Sequence, residues 1–172
     1  MSVLSNQQIK TLIDADEPLI SGYADLSSQL QSNGFDMTLG AVAAFDSAGT
    51  IGISNAERSL PGTREIGFDD AGYVQLAPGP YLITLNEVVG LPLHLMAFGK
   101  PRSSLLRSGV AIHNAVWDAG YHGRSQALLV VYNPDGFIVA RGARILQMVF
   151  MTLDADTSVP YAGQYQGEHI SR

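Results

Sequence analysis

Short apolar runs of strand length, separated by turn clusters, fill the second half of the chain and most constrain its fold. The runs end at residues such as Gly, Pro, Asn and Asp, with turn clusters at 77–80 and 133–136. Many short strands with Gly- and Pro-containing turns are typical of a sandwich or a distorted barrel. The sequence therefore predicts a mainly β fold with strands at 72–76, 81–86, 93–98, 127–132, 137–140 and 145–153.

Two segments depart from the strand pattern. Ser5 and Gln8 form a capping-box pattern, and Ile9, Leu12 and Ile13 follow at helical spacing. A short helix is expected at residues 6–14, ending before residue 18. Residues 103–109 have the composition of one short helical turn, whose N-terminal amides could face an anion.

Composition favours one compact domain. The chain has 172 residues, of which 46% are hydrophobic and 15% charged, and it contains no cysteine. That size suits a single core, and a thiolate metal site or a disulfide framework is impossible. The start of the chain is too polar for a signal peptide, and the apolar runs are too short for a bilayer. We therefore expect a cytoplasmic protein without a membrane partner.

The charge balance argues against a nucleic-acid partner but leaves room for a small anion. Net charge is −6, whereas nucleic-acid binders usually carry a basic face. Cations are nevertheless concentrated locally, with six of the ten basic residues between positions 100 and 144. An ordinary solvated surface is the alternative interpretation. The six residues are Lys100, Arg102, Arg107, Arg124, Arg141 and Arg144.

Asp118 is the candidate general base. It lies in segment 115–123, where two glycines and two aromatic residues surround one carboxylate and suggest a hairpin that a ligand can approach. A carboxylate near a bound water can take its proton. Taken alone, the segment is equally typical of an aspartate that shapes a turn.

Segment 101–107 is the candidate polyphosphate site. Arg102 and Arg107 offer planar multidentate donors, and the hydroxyls of Ser103 and Ser104 can reach the remaining oxygens. A solvated, serine-capped helix start is the alternative. The four histidines do not have metal-ligand spacing, and no P-loop pattern is present.

Taken in order, four segments resemble the motifs of the archaeal-type branch of the dUTPase and dCTP deaminase superfamily. They are residues 31–40, 101–109, 115–123 and 141–150, and residues 161–168 are similar to the tail of that branch. The resemblance runs from about Gln29 to the C-terminus. It implies one distorted, jelly-roll-like β-barrel domain spanning residues 1–172, with an N-terminal helical segment at 1–28 and a tail or lid at 160–172.

The resemblance also implies a function and a set of roles. The protein would be a homotrimer that hydrolyses dUTP to dUMP and pyrophosphate at sites between subunits, with Mg²⁺ held through substrate phosphates and water. Asp118 would activate the attacking water, Asp36 would lie in the second shell of the magnesium, and Tyr121 would exclude a 2′-hydroxyl. The hairpin backbone would contact the base. The other implied substrate contacts are Arg102, Ser103, Ser104, Arg107, Ala115, Trp117, Gln147, Tyr165 and Gln166.

Two alternatives remain open. A dCTP deaminase needs a second carboxylate about ten residues after Asp118, but the sequence between Ala119 and Pro134 contains no Asp or Glu. A non-catalytic nucleotide-binding or regulatory relative is the other alternative, and the presence of Asp36, Asp118 and Gln147 argues against it. The chain also departs from typical dUTPases in lacking their Gly-rich arm with a stacking Phe, and in having Ala115 where they often have Gly.

Overall fold

A computed structural model describes residues 1–170 and contains three α-helices and thirteen β-strands in that part of the chain. The helices are α1 (Asn6–Ile13), α2 (Leu26–Gln29) and α3 (Ser103–Arg107), with a 3₁₀ turn at Asn55–Glu57. The first seven strands are β1 (Ile20–Ser21), β2 (Leu30–Gln31), β3 (Gly34–Phe45), β4 (Thr63–Ile66), β5 (Tyr73–Leu76), β6 (Gly79–Leu85) and β7 (Val88–Gly90). The others are β8 (Leu95–Pro101), β9 (Val110–His113), β10 (His122–Gly123), β11 (Gln126–Val131), β12 (Phe137–Ala140) and β13 (Arg144–Thr152).

The main sheet is antiparallel and nearly closed. Its strand order is β8-β13-β3-β6-β11-β9, and β2 and β4 add to β3. The first and last strands of this order, β8 and β9, lie against each other. A small sheet of order β1-β7-β10 and the β5–β12 pair complete the structure. The prediction of a mainly β, distorted-barrel fold is confirmed.

Strand β3 forms the centre of the core. Phe35, Met37 and Leu39 are fully buried in it, as are Met148 and Phe150 in the neighbouring β13. Because β3 is paired on both sides and covered on both faces, its residues are buried almost continuously rather than alternately. The strand carries residue 36 into this protected environment.

The predicted elements are found with small shifts at their ends. The capping box at Ser5 and Gln8 begins α1, with the Ser5 amide donating to Gln8 Oε1 at 2.9 Å. The predicted strands correspond to β5, β6, β8, β11, β12 and β13, and the predicted turn at 103–109 to α3. Residues 79–80, predicted as turn, instead pair with β11 at the start of β6. Within residues 1–170, no helix is long and apolar enough to cross a bilayer.

A candidate active site

Asp36 is a buried carboxylate that binds two guanidinium groups. Its side chain is 2% exposed, and Oδ2 lies 3.0 Å from Arg102 Nε and 3.5 Å from Arg144 Nη1. Burial raises the pKa of the Asp36 carboxyl, and the two arginines oppose that shift. The Arg102 and Arg144 side chains are 33% and 34% exposed, so each keeps donors directed toward solvent. The two guanidinium groups therefore present positive charge at a position that the buried Asp36 carboxylate holds fixed.

A row of polar side chains crosses the sheet beside this ion pair. Asp36 on β3 is opposite Gln147 on β13, and Gln147 is opposite Lys100 on β8. Residues opposite each other in antiparallel strands project from the same face. Gly34 makes room for Gln147, since a Cβ at position 34 would lie 2.9 Å from Gln147 Nε2. The row therefore brings an amide and an ammonium group toward the two guanidiniums.

Helix α3 follows directly after Arg102 and brings further anion-binding groups to the same edge. Ser103 and Ser104 are exposed, and within residues 1–170 their hydroxyls make no hydrogen bond to the protein. Arg107 is exposed as well, and its Nη1 donates to the Ser103 carbonyl at 3.0 Å. Helix α3 thus places Ser103, Ser104 and Arg107 directly after Arg102, the residue that is paired with Asp36.

Two of the six basic residues between positions 100 and 144 make their contacts outside the group around Asp36. Arg124 donates its Nε to the His169 carbonyl at 2.9 Å and its Nη1 to the Asn86 carbonyl. Arg141 lies over the ring of Phe68, 4.7 Å from its centroid. Sequence spacing could not separate these residues from the others, because it carries no information on which strand end each one reaches.

Asp118 lies on a hairpin that is attached to β8. The backbone of Trp117 exchanges two hydrogen bonds with Ala97, at 3.0 and 3.1 Å, and the Tyr121 amide closes a turn on the Asp118 carbonyl. Gly120 has a φ of +87°, which this turn requires. Ala115 is exposed at the start of the hairpin. Asp118 is thereby held at the tip of a short, well-braced loop.

The Asp118 carboxylate is exposed and borders a cavity of about 250 Å³. Within residues 1–170 it forms no hydrogen bond and no ion pair. The cavity is otherwise lined by Met96, Leu153, Val159 and Tyr161, among others. A carboxylate without a partner, next to an accessible space, can accept a proton from water.

Behind the hairpin, a chain of hydrogen bonds joins two aromatic side chains. Trp117 Nε1 donates to Ser125 Oγ at 2.6 Å, and Ser125 Oγ lies 2.9 Å from the Tyr121 hydroxyl. Tyr121 is 5% exposed, and burial raises the pKa of its phenol. Tyr121 also borders a cavity of about 510 Å³, together with its neighbours Gly120 and His122. Ser125 was not predicted as a site residue, because a lone serine between two strands carries no distinctive pattern.

The C-terminal tail returns over the same hairpin. The Gln166 side chain accepts from the His122 amide at 3.0 Å and donates to the Gly120 carbonyl at 2.9 Å. Glu168 Oε1 accepts the Tyr121 hydroxyl at 2.9 Å. Tyr165 is 37% exposed, and its side chain makes no hydrogen bond within residues 1–170. Of the two tail residues predicted to contact substrate, Gln166 lies on the hairpin and Tyr165 does not; the last two residues of the predicted tail, 171–172, lie outside the described part.

A second buried carboxylate supports the strand that carries Asp36. Glu87 is fully buried and accepts from the Thr38 amide at 2.9 Å, from Thr38 Oγ1 at 2.6 Å and from Gln29 Nε2 at 2.7 Å. Gln29 Nε2 also donates to the Asp36 carbonyl at 2.9 Å. This network fixes the backbone of β3 at the ion pair. Glu87 and Gln29 were not predicted, because neither lies in a recognisable motif.

The protein's own donors do not form a metal cage. Within residues 1–170, no three Asp, Glu or His side chains come together as a possible metal group. Asp36 is occupied by two guanidiniums, which leaves its carboxylate poorly suited to direct ligation. The residues present therefore fit Mg²⁺ only if other oxygens, such as those of a bound phosphate, supply most of its ligands.

The two halves of the candidate site are separated in one chain. In the described part, no hydrogen bond or ion pair joins the Asp118 hairpin to the group around Asp36. Trp117 is beside Ala97, whereas Arg102 follows the end of β8 at Pro101. Four strand residues correspond to roughly 13 Å. One chain thus offers a free carboxylate and an anion-binding edge at different points of β8.

Comparison with known proteins agrees with this arrangement of motifs. The chain is 45% identical over 170 residues to a protein of Archaeoglobus fulgidus named probable deoxyuridine 5′-triphosphate nucleotidohydrolase, covering 99% of both chains. It is 41% identical over 171 residues to a protein of the same name from Methanosarcina mazei, covering 99% of this chain and 100% of that one.

A solved structure has the same fold. The dCTP deaminase of Agrobacterium tumefaciens matches 86% of this chain with a TM-score of 0.64 and 23% identity, although this chain spans only 47% of that protein. The dCTP deaminase-like family matches residues 3–153, which is most of the sequence. Strand arrangement, motif order and full-length relatives agree, and the chain belongs to the dCTP deaminase-like family.

Proposed function

We propose that this protein hydrolyses dUTP to dUMP and pyrophosphate. The observation that carries the proposal is the state of its two motif aspartates. Asp36 is buried and neutralised by two arginines, whereas Asp118 is exposed, unpaired and next to a cavity. Asp36 is thus suited to hold the two arginines in place, and Asp118 is suited to take a proton from water. The full-length relatives named as probable dUTP nucleotidohydrolases support this choice of substrate.

In this mechanism the edge around Asp36 binds the triphosphate. Arg102 and Arg107 donate to phosphate oxygens, with Ser103, Ser104 and Gln147 at the remaining oxygens. Asp118 accepts a proton from the water that attacks the α-phosphorus, and the bond to the pyrophosphate oxygen breaks. Magnesium would be held through the substrate phosphates and water, and would supply positive charge that offsets the charge of the leaving pyrophosphate. The residues contribute positioning and electrostatic stabilisation rather than a covalent nucleophile.

We further propose that the complete site forms between subunits of a homotrimer. The hairpin and the phosphate-binding edge are separated along β8, which supports a site shared between chains. A hairpin of one copy that approaches the edge of another would bring Asp118 to the phosphates without a large movement in either chain. Closed symmetric assemblies are the usual form of soluble oligomers.

The hairpin is assigned to the nucleoside. Tyr121 is assigned to the deoxyribose, where a 2′-hydroxyl would lose its water without gaining a partner. The backbone around Ala115 is assigned to the uracil. Trp117 shapes the hairpin rather than hydrogen-bonding the base, because its amide and carbonyl pair with Ala97 and its indole N–H with Ser125.

The alternative reaction, deamination of dCTP, lacks its proton shuttle. The residue ten positions after Asp118 is Leu128 in β11, a strand without any acidic side chain. An apolar side chain cannot move a proton between water and the cytosine ring. Because the family is named dCTP deaminase-like and the Agrobacterium enzyme has the same fold, deamination of dCTP must be tested beside hydrolysis of dUTP.

An assay of purified protein with Mg²⁺ and dUTP, dCTP or UTP tests the proposal. We expect dUMP and pyrophosphate from dUTP, much slower cleavage of UTP and no ammonia from dCTP. Ammonia released in proportion to dCTP consumed would overturn the choice of reaction. Tight nucleotide binding without any product would instead favour a regulatory relative.

A further inference from the structure

Glu168 ends the hydrogen-bond chain that begins at Trp117, and its charge sets the direction of that chain. An ionised carboxylate can only accept, so the single proton of the Tyr121 hydroxyl points to Glu168 Oε1. The Tyr121 hydroxyl has no second proton to give. The Ser125 hydroxyl, which accepts from Trp117, therefore donates its own proton to the Tyr121 oxygen. Each donor in this series of hydrogen bonds then has one acceptor, and the ionised Glu168 carboxylate determines the direction in which every proton is donated.

The surroundings are shaped for this contact. A Cβ at Gly123 would lie 2.6 Å from the Tyr121 hydroxyl oxygen and 3.1 Å from Glu168 Cγ, so a side chain there would separate the two groups. The Glu168 carbonyl accepts the Arg124 amide at 2.8 Å, and the Gly167 amide donates to the His122 carbonyl at 2.8 Å. The backbone of the tail thus holds Glu168 against the hairpin from both sides.

We propose that Glu168 is a positioning residue for sugar selection: by accepting the Tyr121 hydroxyl, it fixes the ring that faces the deoxyribose and makes rejection of a 2′-hydroxyl depend on the docked tail. The inference rests on the proposed function, in which Tyr121 faces the sugar. It extends that function by assigning part of the specificity to a residue 47 positions away from the ring it holds.

The geometry accounts for why a second contact is needed. A phenol ring held by Ser125 alone is fixed on one side of its hydroxyl and can still tilt about that bond. The Tyr161 ring packs edge-on against the Tyr121 ring, with centroids 5.7 Å apart, and this apolar contact leaves the Tyr121 hydroxyl unrestrained. Glu168 therefore provides both the second polar contact to Tyr121 and part of the attachment of the tail.

The kinetic test compares kcat/KM for dUTP with that for UTP. In Glu168→Ala we expect the ratio to fall on the order of tenfold, the scale of losing a hydrogen bond to a charged group. Glu168→Gln keeps an acceptor oxygen and should restore most of the ratio. Glu65→Gln, an exposed residue of β4, is the control for loss of one negative charge. Equal slowing of both substrates in Glu168→Ala, with an unchanged ratio, would overturn the inference.

A second variant approaches the contact from the other side. Gly123→Ala leaves Tyr121 and Glu168 in the sequence but places a methyl group between them. We expect it to lower the dUTP/UTP ratio as Glu168→Ala does, with thermal unfolding used to verify that the barrel is intact. A folded Gly123→Ala protein with the wild-type ratio would contradict the proposed contact.

Hydrogen exchange of the nucleotide-free protein tests the contact independently of any reaction. The amides of Arg124 and Gly167 should exchange faster in Glu168→Ala than in the wild type, and the change should be smaller in Glu168→Gln. Unchanged exchange would overturn the tail attachment. If these amides respond while the wild-type protein cleaves no dUTP, the contact stands, but the proposed function fails and the role in sugar selection fails with it.

Discussion

The Asp36 carboxylate and the Arg102 guanidinium, 3.0 Å apart, join the start of the buried strand β3 to the residue that begins the anion-binding edge. Replacing Asp36 with Asn should weaken nucleotide binding, because Arg102 and Arg144 lose the negative charge that holds both of them and become mobile. The free energy of unfolding should fall by about 1–3 kcal/mol, as for loss of a hydrogen bond to a charged group. Urea denaturation and a KM measurement check both effects; wild-type values for both would contradict the assignment.

Replacing Asp118 with Asn should slow dUTP hydrolysis on the order of 10²-fold or more, because an amide cannot accept the proton of the attacking water. Binding should be largely kept, since within residues 1–170 no hydrogen bond or ion pair joins the Asp118 carboxylate to the phosphate-binding edge. Single-turnover hydrolysis and calorimetric titration separate the two quantities. Asp135→Asn, in an exposed turn, is the control. Near-normal turnover in Asp118→Asn would remove the residue from the mechanism.

The stability of the wild type relative to Glu168→Gln should depend on pH. Burial raises the pKa of Glu168 above its ordinary 4.5, while the hydroxyl of Tyr121 and the charge of His169 oppose the shift. The folded state therefore holds the proton more tightly than the unfolded chain does. The resulting stabilisation is present below pH 4.5 and is lost as the pH rises through the raised value.

Unfolding free energies at about pH 4 and about pH 7, on either side of the ordinary carboxyl pKa, measure this difference. The wild type should lose stability relative to Glu168→Gln between the two. The other charged or titratable groups at Glu168, which are Arg124, Tyr121 and His169, are present in both proteins, so the comparison measures the carboxyl group together with its interactions with them. A wild type that gains stability relative to Glu168→Gln as the pH rises would show that the carboxylate is stabilised rather than penalised in the folded protein.

The protein in solution should be a trimer of about 55 kDa, three times the 18.4 kDa of the chain. Light scattering at micromolar concentration measures the mass. Mixing Asp118→Asn with Arg102→Ala chains adds a functional test, because a site shared between copies regains some activity when each defective chain supplies the intact half. A fully active monomer would contradict the shared site.

Truncation after Gly163 should leave the barrel folded but reduce hydrolysis. The deletion removes Gln166 and Glu168 from the hairpin while keeping Tyr161, which packs against the core and donates its amide to the Ala119 carbonyl. A segment that covers a site excludes water and holds the substrate, so its loss lowers turnover. Circular dichroism and the dUTP assay are the measurements. Undiminished hydrolysis in the truncated protein would contradict a lid.

Local patterns predicted much of the fold. Alternating or continuous apolar runs identified six strands, and the hydrogen-bonding residues Ser5 and Gln8 identified α1. The longest strand, β3, was not predicted, because Gly34, Asp36 and Gly40 interrupt its apolar pattern. Its extended form is imposed by pairing on both sides, and such long-range pairing is not visible in a single sequence.

The site was predictable to a similar degree. The motifs identified Asp36, Arg102 and Gln147, which the fold brings to adjacent positions on β3, β13 and the end of β8. They did not identify the Glu87 network or the contact between Glu168 and Tyr121, since each joins residues far apart in the chain. Nor did they reveal that the Asp118 hairpin and Arg102 are attached at different points of β8, because residue order carries no information about distance.

The position of Trp117 gives the protein an optical probe of its own. It is the one tryptophan in the sequence, it is 5% exposed, and its indole N–H is bound to Ser125. Tryptophan emission therefore originates entirely from the hairpin, without contribution from the rest of the barrel. Nucleotide binding and docking of the tail can both be followed in the unlabelled, unmutated protein by the emission wavelength and intensity of that fluorescence.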